Sequence, residues 1–337
     1  MKNSGMEFAY CTLFNIDYVD KGIALYKSIR KHNKSSILYI LALDQYTIDI
    51  LKEENLFKTV LISLSEIEKE YIYLNELKKT RSFAEYCWTL TPHIIEYIFN
   101  NYNVKSNTYL DADLWFFQDP DLLNIEMIHN QCHTLITEHA FPDDNKKSLN
   151  EELHGKYCVQ FNTFTNTAQS LALLKMWKQD VINDCEYNKR RRKAGDQKYL
   201  EKFTQKSKNV YIPKDIGVGV APWNIKKYNL IYAESEHIMI SYNNKQSEIL
   251  FYHYQNIKYL TKKIINIGAG KAEKKLKMAI YYNYLKELDI IRNRLLKKNI
   301  TIRARSVSRN NILSFIQKYI TRYKLRDFCI SDIIYLR

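Results

Sequence analysis

Apolar runs separated by short polar links are the first pattern along this chain. FAYCTLFN (8–15) is apolar and aromatic almost throughout, as a buried strand requires. DKGIALYKSIRKHN (20–33) then repeats with a helical period: Ile23, Leu25, Tyr26 and Ile29 share a face, and Asp20 is placed to cap the N-terminus. SILYILALD (36–44) reads as a second buried strand. Strand, helix and strand joined by short links form a βαβ unit with parallel strands. FAEYCWTLTPHIIEYIFNNY (83–102) is helical, with Pro92 marking a kink or break. TYLDADLWFF reads as a further strand, as do HTLITEH (133–139) and YCVQFNTF (157–164); SLALLKMWKQDVINDC (170–185) is an amphipathic helix. There is no internal repeat. This alternation predicts an α/β fold whose mostly parallel sheet is flanked by helices.

Charge divides the chain. Residues 258–337 carry 20 Lys/Arg against 5 Asp/Glu, while 1–257 carry 31 against 32. The expected organisation is therefore a catalytic or binding body, 1–257, and a basic helical C-terminal region, 258–337. In that region 271–298 and 310–328 have helical patterns. A basic amphipathic helix suits an anionic membrane surface or an acidic partner; it also suits packing on the body with a solvated basic side. The six cysteines are scattered without a CxxC pair, so they read as reduced thiols of a cytoplasmic protein. No leader-like segment opens the sequence, and no run approaches the roughly 20 apolar residues of a membrane span.

The chemistry concentrates in TYLDADLWFFQDP (108–120). Carboxylates beside so much apolar surface are costly unless something positive neutralises them. Alternation along one strand would set Asp111 and Asp113 on the same side, where they could share a divalent cation; oxygen donors suit Mg²⁺ or Mn²⁺. Such a cation can stabilise a diphosphate leaving group. In parallel sheets ligands gather at the carboxyl ends of strands, where Asp44 also falls.

YLDADLWFF resembles the DxD strand of nucleotide-sugar-dependent glycosyltransferases of the GT-A fold (Rossmann-like), in particular the glycogenin-like and lipopolysaccharide-galactosyltransferase-like retaining enzymes. CTLFNIDYVDKGIALYKSIRKHN is similar to that family's opening strand, loop and helix. CWTLTP (87–92), AGDQKYL (194–200) and LFYHYQN (250–256) resemble its later motifs, in order. The resemblance implies that Asp111 contacts ribose and metal, that Asp113 and His253 are metal ligands, and that Asp196 and Gln197 lie near the reacting sugar. Thr12, Asn15 and Tyr18 would hold the nucleotide, with Asp44 assisting. The alternative for Asp196 is a helix N-cap, and for His253 an ordinary strand histidine. The usual Asn-x-Gly motif is absent, leaving Gln160 or Asn162 in its place. The family's phosphate-binding lysine is not evident either; Arg81 is the nearest cation. GVGVAPWNI (217–225) lies outside the family pattern, with Trp223 as a stacking platform or core residue and Asn224 as a hydrogen-bonding group. The motif set favours retention; an inverting enzyme would need a base such as Glu138 or His139.

The expected activity is transfer of a sugar, most simply from a UDP-sugar with Mn²⁺ or Mg²⁺, to a glycan or lipid-linked acceptor such as lipopolysaccharide. The basic region would hold the enzyme at the inner face of the cytoplasmic membrane. The competing expectation is a nucleic-acid-binding protein gripping phosphate with that region. Against it, the positive charge avoids the body and no recognised nucleic-acid motif occurs.

Overall fold

The computed structural model describes residues 8–188, 190–259, 264–300, 302 and 332–335. The chain begins with β1 (Ala9–Phe14), α1 (Val19–His32), β2 (Ile37–Ala42), α2 (Gln45–Glu54) and β3 (Thr59–Ser63). It continues through α3 (Leu64–Glu70), α4 (Leu74–Thr80), α5 (Phe83–Asn101), β4 (Ser106–Leu110), β5 (Leu114–Phe116) and α6 (Asp121–His129). Next come β6 (Thr134–Glu138), α7 (Lys147–His154), β7 (Tyr157–Thr165), α8 (Ala168–Asn183), β8 (Tyr187–Asn188), β9 (Lys193–Ala194), α9 (Glu201–Lys206) and β10 (Val210–Tyr211). Three strands, β11 (Asn229–Glu234), β12 (His237–Tyr242) and β13 (Lys245–Glu248), make an antiparallel meander. They are followed by β14 (Phe251–His253), β15 (Lys258–Tyr259), β16 (Ile264–Asn266), α10 (Lys274–Lys297) and β17 (Ile333–Tyr335).

These elements divide into two compact units. The first comprises the described residues within 1–16, 29–112 and 119–214; the second comprises those within 17–28, 113–118 and 215–337. The first unit is built on a seven-stranded sheet in the order β10-β6-β7-β4-β1-β2-β3. Pairs β1–β2, β2–β3, β1–β4 and β10–β6 are parallel, while β7 runs antiparallel to both β4 and β6. The predicted βαβ unit and mostly parallel sheet are therefore present. One face of the sheet is covered by α5 and α8, which bury Leu90, Ile94, Ile98, Leu174 and Trp177 against Cys11, Tyr109 and Phe164. Each such side chain contributes about 1.5–3 kcal/mol of hydrophobic burial.

Three local expectations change. Asp20 does not cap α1: the helix starts one residue earlier, and Asp20 is 1% exposed and ion-paired to Arg292 at 2.9 Å. Helix α5 continues through Pro92 without a break. TYLDADLWFF is not one strand. β4 stops at Leu110, a turn occupies Ala112 and Asp113, and β5 joins β14 in a separate antiparallel pair. The strand-alternation argument for Asp111 and Asp113 therefore fails.

In the second unit α10 forms part of the core, burying Leu276, Ile280, Tyr281, Tyr284, Leu285, Leu288, Ile291 and Leu295. Tyr284 stacks on Tyr254 at 3.7 Å, and Tyr252 and Tyr281 join hydroxyls at 2.8 Å. The other candidate tail helix, 310–328, lies outside the described residues. Among those described, no helix is long and apolar enough to cross a membrane, and the five cysteines form no disulfide.

Candidate functional site

In the second unit, the turn after β4 delivers Asp113 and the short β14 delivers His253. Pairing of β14 with β5 places His253 opposite Leu114. Two backbone bonds fix the arrangement: Tyr254 N–H donates to Asp113 O at 2.8 Å, and His253 N–H donates to Val220 O at 2.9 Å. His253 Nε2 lies 3.1 Å from Asp113 Oδ1, with the side chains only 6% and 11% exposed. Burial works to raise the pKa of Asp113. His253, ahead of the ammonium of Lys21, outweighs burial and holds the carboxyl below its ordinary value.

Trp223 sets its ring edge-on to His253, with centroids 5.2 Å apart. Asn224 is fully buried and turns inward: its Oδ1 accepts from Ala221 N–H and its Nδ2 donates to Gly219 O, both at 2.9 Å. It thus holds the 217–225 loop in shape. Tyr18 is 44% exposed, and the Lys21 ammonium stands 3.8 Å over its ring.

The first unit carries the remaining candidates. Asp111 follows β4, and its N–H donates to Gln160 O at 3.1 Å. Asp196, 4% exposed, comes after Gly195 at the head of a 3₁₀ turn, Gln197–Leu200. It makes no side-chain cap, so the alternative reading as an N-cap does not hold. Its backbone oxygen accepts from Trp177 Nε1 at 3.0 Å, while Oδ2 is buried without a partner among the described residues. Burial first, and the charge of Asp111 second, push its pKa well above the carboxylate range.

Gln160 is fully buried and donates to Thr137 Oγ1 at 3.2 Å. Thr12 and Asn162 are fully buried too, and neither the Thr12 hydroxyl nor the Asn162 amide has a partner among the described residues. Asn15 is half-buried at the end of β1. Asp44 caps α2 through Thr47 N–H at 2.8 Å and accepts from Ile16 N–H at 2.8 Å, tying down the loop after β1. Arg81 gives one guanidinium nitrogen to Thr89 Oγ1 and another to Ile182 O, so it ties the start of α5 to the end of α8. Glu138 pairs with Lys156 at 3.2 Å, and His139 stacks on Phe141.

Sequence reasoning missed Lys21, although its position three residues after Tyr18 on a helical pattern was the available signal. It also missed Tyr284, which is fully buried with Trp115 edge-on to its ring.

A carboxylate and an imidazole nitrogen in one buried pair are donors that Mn²⁺ accepts. Among the described residues, however, no three His, Cys, Asp or Glu side chains are gathered to hold a metal ion. By donor type Asp113 and His253 fit such an ion and would be two of its ligands.

No family model matches the chain. It is 26% identical over 263 residues to the uncharacterised Bacillus subtilis (strain 168) proteins YfnF and YfnD. The matches span 76% of this chain and 84% of YfnF, and 77% of this chain and 81% of YfnD. Solved structures similar to it include mouse xyloside xylosyltransferase 1, with TM-score 0.47, 10% identity, and coverage of 74% of this chain and 98% of that one. The galactosyltransferase LgtC, in complex with donor and acceptor sugar analogs, gives TM-score 0.47 and 12% identity over 83% of this chain and 95% of its own. GlyE of Streptococcus pneumoniae TIGR4 gives 0.46 and 13% over 90% and 66%. Each of these three solved structures is a glycosyltransferase.

Proposed function

We propose that this protein is a nucleotide-sugar-dependent glycosyltransferase, taking a UDP-sugar as donor and a surface glycan such as lipopolysaccharide as acceptor, with retention at the anomeric carbon. The observation that carries this reading is the buried Asp113–His253 pair. The second aspartate of DADLWFF and the histidine of FYHY, 140 residues apart in sequence, meet as the ordered motifs imply.

In this reading Asp113 and His253 hold a divalent cation, Mn²⁺ or Mg²⁺, as two of its ligands. The bound ion supplies neutralisation of the diphosphate leaving group. The chain's own residues do the rest. Lys21 adds a cation on the Asp113 side. Tyr18 offers an exposed ring to the base, and the loop after β1, held by Asp44, shapes the nucleotide site with Thr12 and Asn15. Asp196, whose carboxyl burial and the charge of Asp111 push above its ordinary value, hydrogen-bonds the donor sugar, with Gln197 beside it in sequence. The structural ties of Arg81, Gln160 and Asn224 give these three positioning roles, and Trp223 screens His253 from water.

The test is thermal stabilisation by UDP and UDP-sugars with and without Mn²⁺, since a ligand that binds the native state raises Tm. The expected result is a Mn²⁺-dependent shift with UDP and one UDP-sugar, absent in Asp113→Ala, with release of UDP on turnover. A folded wild-type protein that no nucleotide stabilises would overturn the reading.

A further inference from the structure

Lys189–Lys193 is a run of five consecutive basic residues, and three residues after it comes Asp196. The chain here forms a hairpin of β8 and β9, with Tyr187 opposite Ala194 and Asn188 opposite Lys193. The backbone N–H groups of Arg190 and Arg191 both donate to Asn188 Oδ1, at 3.1 and 3.2 Å. The base of the hairpin is fixed. Tyr187 N–H donates to Glu85 Oε1 at 3.0 Å, and Gly195 N–H donates to Glu186 O at 3.1 Å. Gly195 has φ +62°, and a Cβ there would come within 2.7 Å of the Trp88 ring. Trp88 therefore lies directly on the chain between the hairpin and Asp196. The Tyr187 ring, 41% exposed, stands 5.9 Å from it.

The charges are not fully balanced. Lys193 pairs with Asp184 at 2.6 Å and Glu186 at 3.0 Å, and Arg192 pairs with Glu152. Arg191 reaches Glu186 only at 3.7 Å and leaves 70% of its side chain exposed. Arg190 is exposed and makes no ion pair among the described residues. An exposed aromatic ring on the same hairpin as guanidinium groups in excess is the donor set for a sugar ring that carries a dianion. The ring stacks its C–H face on the aromatic surface, and the arginine forks match phosphate oxygens.

We infer that the β8–β9 hairpin binds the acceptor, and that the acceptor is a phosphate-bearing saccharide, with Tyr187 taking a sugar ring and Arg190 and Arg191 taking its phosphate. This rests on the glycosyltransferase reading for the word acceptor, but not for the binding itself. Rigid attachment to the Gly195–Asp196 segment is what makes the hairpin a suitable acceptor platform.

The full-length protein is titrated with N-acetylglucosamine 1-phosphate, N-acetylglucosamine and inorganic phosphate, and binding is read by saturation-transfer NMR and calorimetry. Stabilisation by UDP and Mn²⁺ is followed in the same preparations. The wild type should bind the sugar phosphate more tightly than either fragment. Arg190→Ala/Arg191→Ala should weaken the sugar phosphate about tenfold, the scale of charge-assisted hydrogen bonds. Tyr187→Ala should bring it down to the level of inorganic phosphate. Both variants should keep the UDP shift.

Absence of sugar-phosphate binding to the wild type, or binding that both variants retain unchanged, overturns the inference. Loss of the UDP shift in the arginine variant also overturns it, because the hairpin would then serve the donor. If the wild type shows the hairpin-dependent binding but no UDP shift, the glycosyltransferase reading fails while the saccharide site stands.

Discussion

Asp121 shows how a single half-buried carboxyl sets a pH dependence. Burial pushes its pKa up to about 6; the hydrogen bond from the Tyr10 hydroxyl opposes this, and the charge of Asp119 adds to it. A folded pKa above the unfolded value of about 4 means the native state holds the proton more tightly. The stabilisation is complete below pH 4 and is lost as pH rises through 6. Asp121→Asn removes the titration and keeps a carbonyl oxygen for Tyr10. Relative to wild type, the variant should gain about 2 kcal/mol between pH 4 and pH 7. Urea midpoints at the two pH values measure it; an unchanged difference between variant and wild type would refute the assignment. The ordered motifs, through the family resemblance they carry, implied that Asp113 and His253 share a site, and the two side chains lie 3.1 Å apart. The motifs did not announce the raised pKa of Asp121, which depends on what covers it: Tyr10 from β1 and Asn33 from beyond α1.

At the level of elements, legibility followed burial. β1, β2, β6 and β7 are buried along most of their length, and their apolar runs were readable as strands. The β11–β13 meander was not: β11 is mostly exposed, so no apolar period marks it. The apolar run from Tyr109 to Phe117 misled in the opposite way. It is buried throughout except at Asp111, yet two strands of different sheets share it, and only the turn at Ala112–Asp113 separates them. The 217–225 loop was legible as special but not in its task, which is to seat β14. Leu250 N–H donates to Gly217 O at 2.9 Å, and Val220 bridges to Tyr252. A Cβ on Gly217 would come within 2.0 Å of Glu248 O. That is backbone, so it yields little. Gly217→Ala should cost about 3 kcal/mol, lowering Tm by about 4 °C. Because the same loop holds His253 N–H, the Mn²⁺-dependent stabilisation by UDP should also shrink. Unaltered Tm and nucleotide response would show that the loop adapts freely.

Across the whole molecule, chain segments far apart in sequence close each unit, and a linear reading sees this least. The change in charge at 257/258 falls inside the second unit, which also takes in 17–28 and 113–118. Closure of that unit includes an ion pair across 55 residues. Lys277 Nζ lies 2.6 Å from Asp332 Oδ1, with both side chains 2% exposed. Asp332 Oδ2 accepts from Gly270 N–H at 2.8 Å, and Lys277 also donates to Gly270 O. Just after Asp332, β17 pairs with β16. Desolvating two charges consumes most of what their attraction returns, so the pair itself adds little net stability. Breaking it is another matter, because the surviving ammonium stays buried without its counter-charge. Asp332→Ala should therefore destabilise the protein by about 3–5 kcal/mol. Lys277→Met/Asp332→Leu, which removes both charges and keeps the volume, should recover most of that loss. The two together separate a requirement for pairing from a requirement for the residues themselves. A double variant as unstable as Asp332→Ala would mean that the hydrogen bonds to Gly270, rather than charge balance, hold the C-terminal strand in place. An Asp332→Ala variant with wild-type stability would mean that the strand contributes nothing to the unit.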